Sequence, residues 1–109
     1  MEDRFATLLL RALGLRIREL RTEQGYSQEG FADKCGVHRT FMGTIERGES
    51  NLSFQNIAKV ATSLGVTLST LLMGLEGRAK ILGGPTGHQA EELQKSVKKR
   101  YVKSSKKAG

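Results

Sequence analysis

The chain has 109 residues and a formal charge of +7, from 18 Lys and Arg against 11 Asp and Glu. That length holds one small domain, and 38% apolar residues without a single Trp argue against an enzyme with a deep, walled active site. The basic balance points to a polyanionic partner, nucleic acid first and an anionic membrane surface second, which charge alone does not separate. Cys35 is the only cysteine, so no internal disulfide framework exists. The apolar run 5–10 follows Glu2 and Asp3 and is cut by Arg11, unlike a secretory signal. No apolar run approaches the roughly 20 residues that span a bilayer, so the chain reads as cytoplasmic, with no membrane partner.

Leu10, Leu13, Ile17 and Leu20 recur at i, i+3, i+7 and i+10, one face of a helix, with Arg16, Arg18, Glu19, Arg21 and Glu23 on the other faces. Asp3 is a candidate N-cap, Gly25 closes the helix after Gln24, and Gly14 weakens its middle by about 1 kcal/mol relative to Ala. A second helix of about two turns opens at the cap Ser27, faces inward with Phe31, Ala32 and Cys35, and stops at Gly36. A third runs from about His38 to Arg47, buries Met42 and Ile45, and ends at Gly48. His38, Arg39, Thr40, Phe41, Gly43 and Thr44 are left facing outward. Ser53 caps a fourth helix with Ile57, Ala58, Ala61 and Leu64 inward and Gly65 as its terminator. Thr67 caps a short fifth helix carrying Leu68, Leu71 and Leu72, ended by Gly74. No strand alternation appears, so the fold class is all-α: a compact five-helix domain over 13–75 with an N-terminal helical extension over 1–12.

Residues 76–88 read as a linker, centred on the turn-forming GGPTG at 83–87, and 89–109 as a basic tail. Ala90, Leu93, Val97 and Tyr101 allow an amphipathic helix there, although a solvated, fraying tail is the plainer reading. Residues 1–82 carry 11 basic and 9 acidic side chains, a net of +2; residues 83–109 carry 7 and 2, a net of +5. Most of the charge therefore lies outside the folded domain. In the tail it implies non-specific attraction to phosphates, whose removal flattens the salt dependence of binding and leaves base preference intact.

The second and third helices, joined by the sharp turn at Gly36 and Val37, form a helix-turn-helix whose protruding second member fits a DNA major groove. Arg39 can pair bidentately with guanine, and Thr40 and Thr44 can touch bases or thymine methyls. Against this, Arg39 is otherwise a solvated arginine, and a helical Thr can spend its hydroxyl on a backbone carbonyl. Phe41 either stacks on sugar and thymine or packs down on the second helix. His38 has no ligand cluster around it and acts as a cap or a DNA contact; no metal or cofactor is implied. No phosphate-binding glycine loop, nucleophile elbow or carboxylate pair is present, and an enzyme is not expected.

The blocks LGLRIRELR (13–21), GYSQE (25–29), FADKCGV (31–37), IERGE (45–49) and ATSLGV (61–66) resemble, in register, the Cro/cI-type (XRE) helix-turn-helix regulators. HRTFMGTIERG (38–48) followed by NLS (51–53) looks most like restriction-modification controller proteins, which are generally shorter than this chain. The resemblance covers about 13–74. It implies a transcriptional regulator that binds double-stranded DNA at a palindromic operator as a homodimer, joined through the fifth helix and the loop before it. It implies a backbone contact at Gln28, beside the cap Ser27 that is also a candidate DNA contact, base contacts at Arg39, Thr40 and Thr44, phosphate contacts around Arg47 to Asn51, and a salt bridge between Arg21 and Glu46. With His38 and Phe41, these form the candidate DNA-contacting set. Two other readings remain: an antitoxin whose residues 76–109 bind a toxin, and a structural protein whose basic tail coats nucleic acid.

Overall fold

The computed structural model describes residues 4–84, which form six helices: α1 (Arg4–Glu23), α2 (Gln28–Cys35), α3 (Arg39–Glu46), α4 (Phe54–Leu64), α5 (Leu68–Leu72) and α6 (Leu75–Leu82). The cap signals sit where local chemistry demands. Ser27, Ser53 and Thr67 each accept the backbone N–H three residues on, satisfying a donor that the first turn leaves without a partner. Gly36 and Gly65 close α2 and α4 in the left-handed region, at φ 73° and 71°. The proposed cap Asp3 and the tail 89–109 lie outside the described residues.

Helix α1 is the axis around which α3, α4, α5 and α6 pack, and α2 packs on α3 and α4. Leu13 and Ile17 of α1 enter one core with Phe31, Met42, Ile45, Val60, Leu64 and Leu71. Polar clasps fix each neighbour: Arg16 donates to the carbonyl of Thr70 at 3.2 Å, and Gln24 to that of Leu64 at 2.7 Å. Arg78 on α6 meets both carboxylate oxygens of Glu19 at 2.8 Å.

The structure corrects the sequence reading at several places. Residues 76–82, read as linker, belong to α6, whose Leu75 and Ala79 are buried. The five-helix domain is thus extended by a sixth helix across α1, and the boundary at 75 cuts that helix. Gly77 inside it, and the glycines on either side, disguise a short apolar pattern of Leu75, Ala79 and Leu82. In α4 the buried set is Val60, Ala61 and Leu64, with Ile57 and Ala58 half-buried. Of the apolar residues that α5 carries, only Leu71 is buried, and Leu72 is 36% exposed.

Gly14 is the most consequential correction. A Cβ there would stand 2.4 Å from the carbonyl oxygen of Glu46 and 2.5 Å from that of Ile45. The glycine that costs α1 local helix stability is what lets α1 touch the backbone of α3. Gly48, at φ 72°, makes the reciprocal contact: its Cβ would lie 2.6 Å from the Cα of Arg11.

Candidate nucleic-acid interface

Helix α3 starts at a turn that the sequence builds from two caps. Gly36 ends α2, Val37 crosses, and His38 then caps α3 by accepting the N–H of Thr40 on Nδ1 at 3.1 Å. Met42 and Ile45 are fully buried, which leaves Arg39 and Thr40 in solvent on the opposite face. Arg39 lies 3.8 Å from Glu29, a pair in which both side chains are about two-thirds exposed. Such a contact holds a guanidinium loosely and leaves it free for a stronger partner.

The other end of α3 is clamped. Arg21 Nε donates to Glu46 Oε2 at 2.6 Å and Nη2 to Oε1 at 2.9 Å, a bidentate pair with both residues under 10% exposed. Arg21 Nη1 also donates to the carbonyl of Tyr26 at 2.9 Å, and Gln28 Nε2 to Glu46 Oε1 at 3.2 Å. The Glu46 carboxylate thus ties α1 and α2 to α3, and Arg21 holds the turn before α2 to the same cluster. Hydrogen bonding to Glu46 outweighs burial and holds the Arg21 guanidinium above its ordinary pKa. The sequence reading put Arg21 on the outward side although it lies four residues from Ile17; only the family resemblance anticipated its pairing with Glu46.

The remaining candidates divide between solvent and structure. Ser27 is exposed, but its hydroxyl is occupied as the α2 cap. Gln28 is half-buried on the clamp. Thr44 donates to the carbonyl of Phe41 at 2.7 Å and shares a short hydrogen bond with Ser50, so its hydroxyl pins the following turn and only its methyl is spare. Phe41, left open by the sequence, is half-buried against the core. Arg47 and Asn51 are exposed, with Arg47 3.0 Å from Glu49.

Gly43, read as outward, is buried, because the Arg47 guanidinium and the Gln28 amide close over it. A Cβ there would lie 3.1 Å from Arg47 Nη1 and 3.5 Å from Gln28 Oε1. The absence of a side chain at 43 lets these two polar groups converge across α3, a role that the pattern of apolar residues does not reveal.

Cys35 is buried, and burial pushes its thiol up in pKa against the opposing effects of a Ser63 hydrogen bond and the Lys34 charge. It is a small core residue rather than a reactive one. Among the described residues no three His, Cys, Asp or Glu gather to hold a metal ion, and no single helix is long and apolar enough to cross a membrane.

The family model of the helix-turn-helix HTH_3 matches residues 17–71, from mid-α1 through α5. The control protein C.BamHI of Bacillus amyloliquefaciens is 42% identical over 60 residues, 54% of this chain and 74% of that protein. The crystal structure of the restriction-modification controller protein C.AhdI from Aeromonas hydrophila superposes with a TM-score of 0.55 at 45% identity, covering 57% of this chain and 94% of that one. The regulator SinR of Bacillus subtilis is 41% identical over 61 residues, and the match spans 55% of its length. The structure of SinR in complex with DNA superposes with a TM-score of 0.52, covering 55% of this chain and 97% of the SinR chain.

Proposed function

The chain belongs to the HTH_3 family of Cro/cI-type DNA-binding transcriptional regulators, and from that premise we propose that it reads a palindromic operator as a homodimer. Its named relatives are regulators rather than enzymes. The observation that carries the proposal is the exposure of Arg39 and Thr40 at the start of a helix whose far end is clamped by Arg21 and Glu46. A helix-turn-helix presents the N-terminal residues of its second helix to base edges, and Arg39 there suits a guanine.

One such helix reads few base pairs, and two-fold symmetry doubles the set. Support for a dimer comes from α5 and its end, where Leu72 and Met73 are 36% and 43% exposed, a pair of large apolar side chains suited to a second copy. Half-sites then lie about one helical turn apart, roughly 34 Å. The likeness to C.BamHI and C.AhdI favours control of a restriction-modification operon. The antitoxin reading loses part of its docking segment, because residues 76–82 are folded onto α1 as α6.

The test is selection of bound duplexes from a randomised pool by the full-length chain. The proposal expects an inverted repeat with half-sites one turn apart. A single asymmetric site, or retention without any sequence preference, contradicts it; the latter outcome supports coating of nucleic acid by the basic tail.

A further inference from the structure

An open groove runs between the N-terminal third of α1 and the turn that follows α3. Thr7, Leu10 and Arg11 form one wall, and Arg47, Gly48 and Asn51 the other. The sequence placed Arg11 in a helical extension with no function, and the family model begins only at residue 17. We propose that Arg11 is a DNA-backbone contact of this regulator, which grips a phosphate across the groove from Arg47 and Asn51. The inference rests on the DNA-binding reading above.

Three observations support it. First, the position of Arg11 is fixed by backbone and not by chance side-chain packing. Gly48 sits so close to the Cα and N of Arg11 that a Cβ would be 2.6 and 2.8 Å from them. Second, Arg11 is exposed and has no ion pair among the described residues, whereas Arg16, Arg21, Arg39, Arg47 and Arg78 each bond or pair with a neighbour. Third, the charge balance favours an anion. Among the described residues the groove carries one carboxylate, Glu49, which is paired with Arg47 at 3.0 Å and leaves the charge of Arg11 without an ion pair there. That exposed pair is worth little, so an incoming phosphate can displace Glu49 and take both arginines.

The location suits the role. Arg47 follows Arg39 by eight residues, about 12 Å along the helix axis. If the start of α3 meets base edges, its far end and the adjoining α1 face the sugar-phosphate wall. A contact there positions the helix without reading sequence.

The test uses the full chain with two probes: the duplex selected by the wild-type protein and a random duplex of equal length. Affinity is titrated from about 50 to 200 mM salt. For Arg11→Ala, the salt slope on both probes is expected to become shallower by about one per protomer, with similar fold-losses and an unchanged base profile. Arg11→Lys restores the slope, and Lys80→Ala, at an exposed lysine of α6 that does not line the groove, leaves it as in wild type. Arg11→Gln, which keeps the stem, repeats the measurement should the Ala variant melt early. An Arg11→Ala or Arg11→Gln slope equal to wild type, or a loss confined to the selected duplex, overturns the proposal and leaves the regulator reading intact. Failure of the wild-type chain to bind either probe overturns both.

Discussion

The two ends of α3 live in different worlds. At the C-terminal end, Glu46 is buried in a bidentate pair with Arg21, and the carbonyls of Ile45 and Glu46 rest against Gly14 of α1. At the N-terminal end, Arg39 and Thr40 stand in solvent, and the nearest ionic partner, Glu29, lies 3.8 Å away on an equally exposed side chain. Stability is concentrated where α3 meets α1, and the proposed readout lies where α3 leaves the body. The contrast predicts that substitutions at the two ends separate cleanly into those that unfold the domain and those that change what it binds.

The largest expected effect is at the clamp. Glu46→Ala strands the Arg21 guanidinium in the interior and removes the acceptor for Gln28, at a cost of about 3–5 kcal/mol. For a domain of this size, that is a fall in melting temperature of about 15 °C or more, read by thermal circular dichroism. A variant that melts like wild type shows the pair to be ornamental and removes the distinction between the two ends.

Next comes Gly14→Ala. Helix propensity alone predicts a gain of about 1 kcal/mol. The backbone of α3, 2.4 Å from the new Cβ, predicts a net loss of about 1–3 kcal/mol, since neither carbonyl can step aside without moving the helix. The sign of the change in denaturant midpoint decides between the two.

The smallest effect concerns Cys35. Folding favours its protonated thiol, so the stabilisation is complete below the ordinary thiol value of 9.0 and is lost as pH rises through the higher folded value. Stability measured across that alkaline window falls in the wild type, and Cys35→Ala flattens the fall. An identical slope in both proteins shows that the thiol does not report on burial.

Much of the frame was legible in the sequence because capping is local. Ser27, Ser53 and Thr67 need only the next three residues to act, and Gly36 and Gly65 only their own missing Cβ. Residues whose role depends on distant backbone were not legible. Gly14 and Gly48 are close-approach residues by virtue of where α1 crosses α3, and nothing within a few positions of either one encodes that crossing. Arg21 stands four residues from Ile17, on the buried stripe of α1, yet its charge reads as solvent-facing; its partner is 25 residues away, and family likeness supplied what pattern did not. Helix α6 was hidden by glycines that read as a linker, although Leu75, Ala79 and Leu82 fall at i, i+4 and i+7 and offered the signal. At the interface, exposure of Arg39 and Thr40 followed from the burial of Met42 and Ile45. The hydroxyl of Thr44 proved to be engaged within the protein.

The central claim, that the free end of α3 reads bases, is tested most directly by comparing Arg39→Ala with wild type on the selected duplex and on each of its single-base variants. The account predicts an unchanged melting temperature, a loss of about 1–3 kcal/mol in binding, and relaxed preference at one position per half-site. Affinity and base preference equal to wild type would contradict it and move the reading surface away from Arg39.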